Sequence, residues 1–261
     1  MKIVICGKGG SGKSTISALL SKAMANKGYR VLVIDSDESN FGLHRQLGME
    51  LPEDLMNYFG GKKVILERMR ASFQNVDAKS GPPKIEIFDK MWTLNDIPDE
   101  YTTEKNGIML LAVGKIHEFG EGCACAMGVL STGMLEHLET DDKEVVIVDT
   151  DAGVEHFGRG VEHGCDIILV VVDPTFESLM LSKKIEELAG TIKKPVYFIL
   201  NKVDDESRQV MLASVDRNGI AGIIPANNDV FRACLAGEEL DLRLAEINDL
   251  ANVLGGEKGE K

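Results

Sequence analysis

The sequence predicts an α/β fold: a mostly parallel central sheet with helices on both faces. Two observations carry this. Short runs rich in Val, Ile and Leu alternate with longer stretches of helical apolar periodicity, the pattern of repeated βαβ units. Most of these runs are apolar at nearly every position, as parallel strands buried on both faces must be. Strands are expected at residues 2–6, 31–34, 108–113, 145–148, 167–172, 196–200 and 219–224, with helices such as 14–25, 177–189 and 206–217 between them. The stretch 59–106 breaks the rhythm with more charges, Gly60-Gly61, Gly81-Pro82-Pro83 and Trp92, the single tryptophan. It reads as an insertion with some helix around 64–73, attached to the core, so residues 1–261 are expected to form one domain. The tail 255–261 contains only Gly, Glu and Lys and is expected to be disordered.

Composition narrows the function classes. The chain is 44% hydrophobic, enough for a real core, and carries a formal charge of −13. An acidic surface repels phosphate backbones and anionic lipid, so neither a nucleic acid nor a membrane is an expected partner. The longest apolar run, Ile167–Val172, is far short of the roughly 20 residues a bilayer span needs. Met1 leads directly into an apolar strand with no basic leader, which fits a cytoplasmic protein. Five cysteines form an odd set in a chain too large to need a disulfide framework.

Between the first expected strand and helix lies Gly7-Lys8-Gly9-Gly10-Ser11-Gly12-Lys13-Ser14, which fits G-x-x-x-x-G-K-[ST] in the context a P-loop requires. The fold class is therefore a P-loop NTPase. The glycines let backbone N–H groups curl around phosphates, and the helix N-terminus adds its positive dipole end. Lys13 should reach the β- and γ-phosphates and Ser14 should ligate Mg²⁺. Lys8 is a second cation inside the loop. It is either a solvated charge or a group that needs an anion nearby, on this nucleotide or a neighbouring subunit's. A second apolar strand ends in Asp149, the Walker B pattern, placing Asp149 to hold Mg²⁺ through water.

With its second lysine, the loop Lys8 to Thr15 resembles the deviant Walker A motif of the family containing MinD, ParA, ArsA and nitrogenase iron protein, which are dimeric ATPases. The resemblance implies that Lys8 acts across a homodimer on the partner's nucleotide, stabilising charge on the transferred phosphoryl group. It implies that Gly9, Gly10, Ser11, Gly12, Lys13, Ser14 and Thr15 cradle ATP or ADP, with Thr15 at the α-phosphate. It also implies a switch I at Asp35-Ser36-Asp37, where Asp37 orients the attacking water and Asp35 lies near Mg²⁺. Gly153 would sense the γ-phosphate. Asn201 would read the adenine edge, beside Lys202, with Pro225 and Ala226 contacting the base. Asn201-Lys202-Val203-Asp204 also fits the guanine pattern N-K-x-D equally well by spacing.

Gly122-Cys123-Ala124-Cys125 follows the strand expected at 108–113. A lone C-x-C can be two small residues in a turn. Two thiolates are too few for a four-coordinate site, but two chains meeting here would supply four. Cys6, Cys165 and Cys234 fall in apolar contexts that suit buried thiols. The deviant Walker A, the C-x-C and the run from Asp149 to Gly160 together resemble CooC-type proteins, nickel-handling ATPases that mature carbon monoxide dehydrogenase. That resemblance implies Ni²⁺ or Zn²⁺ at Cys123 and Cys125 and a client metalloenzyme. An iron–sulfur, ATP-dependent electron-transfer reductase like nitrogenase iron protein is the alternative, and a MinD/ParA-like positioning ATPase is a further one. Among the histidines, His156 is the one closest to this chemistry.

Overall fold

The computed structural model describes residues 1–74, 85–116, 125–153 and 160–256. One eight-stranded sheet has the order β3-β4-β2-β5-β1-β6-β7-β8. The strands are β1 (Lys2–Gly7), β2 (Arg30–Asp35), β3 (Thr102–Lys105), β4 (Ile108–Ala112), β5 (Glu144–Asp149), β6 (Ile167–Val172), β7 (Val196–Val203) and β8 (Ile220–Pro225). All pair in parallel except β3, which is antiparallel to β4.

The near-continuous apolar strands have a simple cause. Alternate residues feed two separate cores, one on each face. Val4, Leu32, Val146 and Val170 enter the first, while Ile3, Val31, Val145 and Leu169 enter the second. Helix α1 (Lys13–Asn26) covers the second core together with the C-terminal α9 (Ala245–Leu254), whose Ile247, Leu250 and Ala251 are buried. The first core lies under α5 (Cys125–His137) and α6 (Phe176–Ile192).

Two short helices, α2 (Leu43–Leu47) and α3 (Leu55–Tyr58), lead into the segment expected as an insertion, whose helix α4 spans Gly61–Gln74. Trp92 is buried among Tyr58, Phe59 and Phe88, with ring centroids 5.5, 6.1 and 5.1 Å away. Its backbone bonds His137 O and Glu139 N, both at 2.7 Å, which fastens this segment to the end of α5.

The end of that segment departs from the expectation. Residues 102–105 form β3, an edge strand with no buried position. The signal for it was turn chemistry rather than hydropathy. Asn106-Gly107 is the dipeptide of a two-residue hairpin, and both residues take positive φ, 53° and 78°. The helix expected over 206–217 is also shorter: α7 is Arg208–Ser214, and a 3-10 turn follows at Arg217–Gly219. Helix α8 (Asn228–Ala236) starts on an Asn227 cap whose side chain accepts from the N–H groups of Asp229 and Val230.

Candidate nucleotide site

The chain moves outward on one side of β1 through β2 and β4, then returns and continues on the other side through β6, β7 and β8. Such a reversal opens a crevice at the C-terminal ends of the strands. The glycine-rich loop lies there. Gly7 has φ +144°, and a Cβ on it would run into the Val171 carbonyl. Gly12, the N-cap of α1, has φ +105°, and a Cβ there would meet the Asn201 amide. Only glycine suits either position. Lys13 is 7% exposed, and its ammonium donates to the Lys8 carbonyl at 3.4 Å. A cavity of about 700 Å³ opens in front of the loop, the size that holds a nucleotide. Gly9, Gly10, Gly12, Lys13, Ser14 and Thr15 line its phosphate end.

At the side of that end, β5 presents Asp149, fully buried, to α1. Ser14 Oγ donates to one carboxylate oxygen at 2.6 Å and Ser17 Oγ to the other at 3.1 Å. Burial pushes the Asp149 carboxyl above its usual range, against the pull of the Ser14 bond and the Lys13 charge. A buried carboxylate short of positive charge beside a serine hydroxyl fits Mg²⁺, a hard cation that takes oxygen ligands. Ser14 and Asp149 would hold it, and the ion would neutralise charge on the β- and γ-phosphate oxygens. Asn40, absent from the expected set, joins this pair: its Nδ2 donates to Ser14 Oγ at 2.7 Å.

Asp35 is placed differently from the expectation. Its side chain has no exposure and is not on the cavity wall; the carboxylate is 2.7 Å from the Lys115 ammonium, itself fully covered. Burial lifts the Asp35 carboxyl to about 7 even with Lys115 beside it. Of the two acids expected near Mg²⁺, only Asp149 reaches Ser14. Asp37 does line the cavity, with its carboxylate accepting from Ser39 N at 2.9 Å and Ser39 Oγ at 2.7 Å. Gly153 N donates to Gly7 O at 3.2 Å, which ties Gly153 to the loop.

At the other end β7 runs past its expected limit to Val203, bringing Asn201 and Lys202 under the loop. Asn201 Nδ2 donates to Ser11 O at 2.8 Å, and Lys202 Nζ donates to Gly10 O at 2.6 Å. Lys202 holds a left-handed φ of 57°, uncommon for a residue with a side chain. These two side chains thus brace the phosphate loop. Asp204, which a guanine reader would use, is outside the cavity wall. Its carboxylate accepts from Ser207 N at 2.8 Å and Ser207 Oγ at 2.7 Å, and those bonds lower its pKa. The local turn consumes it, which favours adenine over guanine. Ile224, Pro225, Ala226, Val230 and Phe231 form the wall where a base would lie.

Residues 2–117 match the CobQ/CobB/MinD/ParA nucleotide binding domain. The chain is also 52% identical over 254 residues to an uncharacterized ATP-binding protein of Methanocaldococcus jannaschii, across 97% of this chain and 99% of the relative. The chain belongs to the CobQ/CobB/MinD/ParA family of P-loop ATPases. A second relative is the carbon monoxide dehydrogenase accessory protein CooC of Rhodospirillum rubrum, 32% identical over 240 residues, 91% of this chain and 88% of the relative. The septum site-determining protein MinD of Pyrococcus horikoshii, complexed with Mg-ADP, shares the fold with a TM-score of 0.66 at 16% identity, over 97% of this chain and 95% of that one. This CobQ/CobB/MinD/ParA ATPase thus pairs a nucleotide cavity with the loop, the serine and the buried carboxylate that phosphate and Mg²⁺ chemistry uses.

The remaining expected residues divide. Cys125 is exposed at the head of α5, whereas Cys123 and His156 lie outside the described residues. Among the described residues, no group of three or more His, Cys, Asp and Glu is arranged to hold a metal ion. No helix there is long and apolar enough to cross a membrane. Cys6 and Cys165 are buried, as expected of core thiols. Cys234 is not: it is half-buried on the cavity wall, its sulfur 3.7 Å from Thr15 Oγ1 and 3.5 Å from Gln46 Nε2. Lys115, Asn40 and Phe231 escaped the sequence reading, and Cys234 was read only as a core thiol, because none belongs to a motif and each reaches the site only through the fold.

Proposed function

We propose that this ATPase is a metallochaperone that forms a nucleotide-dependent homodimer and assists nickel insertion into carbon monoxide dehydrogenase. In this reading Cys123 and Cys125 from each of two chains hold Ni²⁺ or Zn²⁺ at the dimer interface, where four thiolates suit either ion. Lys8 acts on the partner's nucleotide, Asp37 orients the attacking water, and the remaining loop residues hold ATP and Mg²⁺. The 261 residues act as one cytoplasmic ATPase domain with a family-specific insertion at 59–106.

The observation that carries the reading is the sequence Cys123-Ala124-Cys125, of which Cys125 begins α5, in a chain 32% identical to CooC along most of its length. Helix α5 also touches the nucleotide side: Ser131 Oγ and the Ser36 Oγ of switch I are 2.8 Å apart. A positioning role at a membrane is less well supported. Ile247, Leu250 and Ala251 of α9 are spent on the core against α1, and the exposed Val253 is a single residue rather than an apolar face for lipid.

Simultaneous Cys123→Ser and Cys125→Ser substitution should abolish Ni²⁺ and Zn²⁺ binding, read by metal analysis of anaerobically prepared protein, and leave ADP affinity within about twofold. Full metal occupancy in that variant would sink the reading. A brown wild-type preparation with iron–sulfur absorption would replace it with electron transfer.

A further inference from the structure

Lys115 lies just beyond β4, in no recognised motif, yet its ammonium is among the most thoroughly engaged groups in the molecule. Nζ contacts the Asp35 carboxylate at 2.7 Å and donates to two backbone carbonyls, Asp37 O at 2.6 Å and Asn40 O at 2.5 Å. Neither the Lys115 nor the Asp35 side chain is exposed. The backbone around Lys115 follows the same path beside switch I. Val113 N donates to Asp35 O at 3.0 Å and Ile116 N to Glu38 O at 3.2 Å, while Lys115 N is held by Asp54 Oδ2 at 3.1 Å.

Burying an ammonium costs several kcal/mol even after relaxation, and an apolar pair of similar volume often serves stability as well or better. What the ammonium does here is geometric. Its three contacts hold the 35–40 turn at the Asp35 carboxylate and at the Asp37 and Asn40 main-chain carbonyls, and the side chains of Asp37 and Asn40 line the cavity. Asn40 then reaches Ser14 Oγ, the hydroxyl that would bind Mg²⁺. Beyond these contacts, Ser36 N donates to Asp149 O at 2.9 Å and the Ser36 and Ser131 hydroxyls are 2.8 Å apart.

We propose that Lys115 is the positioning residue of the ATPase reaction, a buried pin that holds Asp37 and Asn40 against the phosphate end of the nucleotide cavity. It touches neither nucleotide nor metal itself and acts through the turn it holds. The proposal depends only on ATP hydrolysis and stands whatever the cargo of the protein.

The test is the Lys115→Met variant, which keeps an unbranched apolar stem and removes the ammonium. A displaced catalytic turn costs about 10- to 100-fold in turnover. The expected result is a fall of that size in kcat, with ADP affinity and the KM for ATP within threefold of wild type. Hydrogen exchange should rise in residues 36–41 and stay unchanged in α1. Unchanged kcat would overturn the proposal. So would a parallel loss of nucleotide affinity and of exchange protection in α1, which would make Lys115 a fold-supporting residue only. If the Met variant does not fold, Lys115→Gln, which retains a hydrogen-bond donor, faces the same split between kcat and affinity, with the same outcomes for and against.

Discussion

Replacing Lys8 by alanine is expected to lower the rate of ATP hydrolysis about 1,000-fold while leaving ADP affinity within a few-fold. A cation supplied to the transferred phosphoryl group is worth about 10³–10⁵ in kcat where its contribution has been isolated. The geometry fits a side chain that does not serve its own loop. The Lys8 carbonyl is the part that works locally, accepting from Ser11 N at 3.1 Å and from the Lys13 ammonium at 3.4 Å. Among the described residues, no hydrogen bond or ion pair engages the Lys8 ammonium. Alanine keeps the carbonyl and therefore the loop. Phosphate release under saturating ATP reads the outcome, and a normal rate in the Lys8→Ala variant would end the role in trans.

Lys13→Ala is expected to act on binding. Lys13 is largely buried in the cavity wall, next to Ser14, with its ammonium 3.4 Å from the Lys8 carbonyl. Each hydrogen bond to a charged group contributes about 1.5–3 kcal/mol, and Lys13 should make two across the β- and γ-phosphates. Each 1.4 kcal/mol is tenfold in affinity, so ATP affinity should fall by about 100-fold or more. Titration with a fluorescent nucleotide measures it, and circular dichroism should show an unchanged fold. Retained affinity would mean that the cavity does not bind phosphate in the way the loop implies. The two lysines, five positions apart, thus separate cleanly: one is read in kcat and the other in Kd.

The sheet was legible because its strands are buried on both faces, and residues such as Ile3-Val4-Ile5 must then be apolar without alternation. The phosphate loop was legible because Gly7 and Gly12 answer to backbone constraints that sequence records directly. Strand β3 was hidden because an edge strand with no buried position has no hydropathy pattern, although its Asn106-Gly107 turn was in view. Asn201 was read as a base contact, yet its amide is on Ser11 O, a bond that exists only once β7 and the loop are juxtaposed. Asp35 was read as a cation's neighbour. The cation beside it is Lys115, 80 residues on along the chain. Contacts between distant segments made from single side chains leave no periodicity or spacing to find.

The central claim is that the nucleotide state controls a metal site shared by two chains. Equilibrium dialysis of the anaerobically purified wild-type protein against Ni²⁺, with ADP or with a slowly hydrolysed ATP analogue, tests it when the mass of the same samples is read by sedimentation. The account predicts a dimer holding one nickel per pair of chains, with an affinity that differs between the two nucleotides. A monomer that binds nickel equally with either nucleotide, or a dimer that binds none, would contradict it.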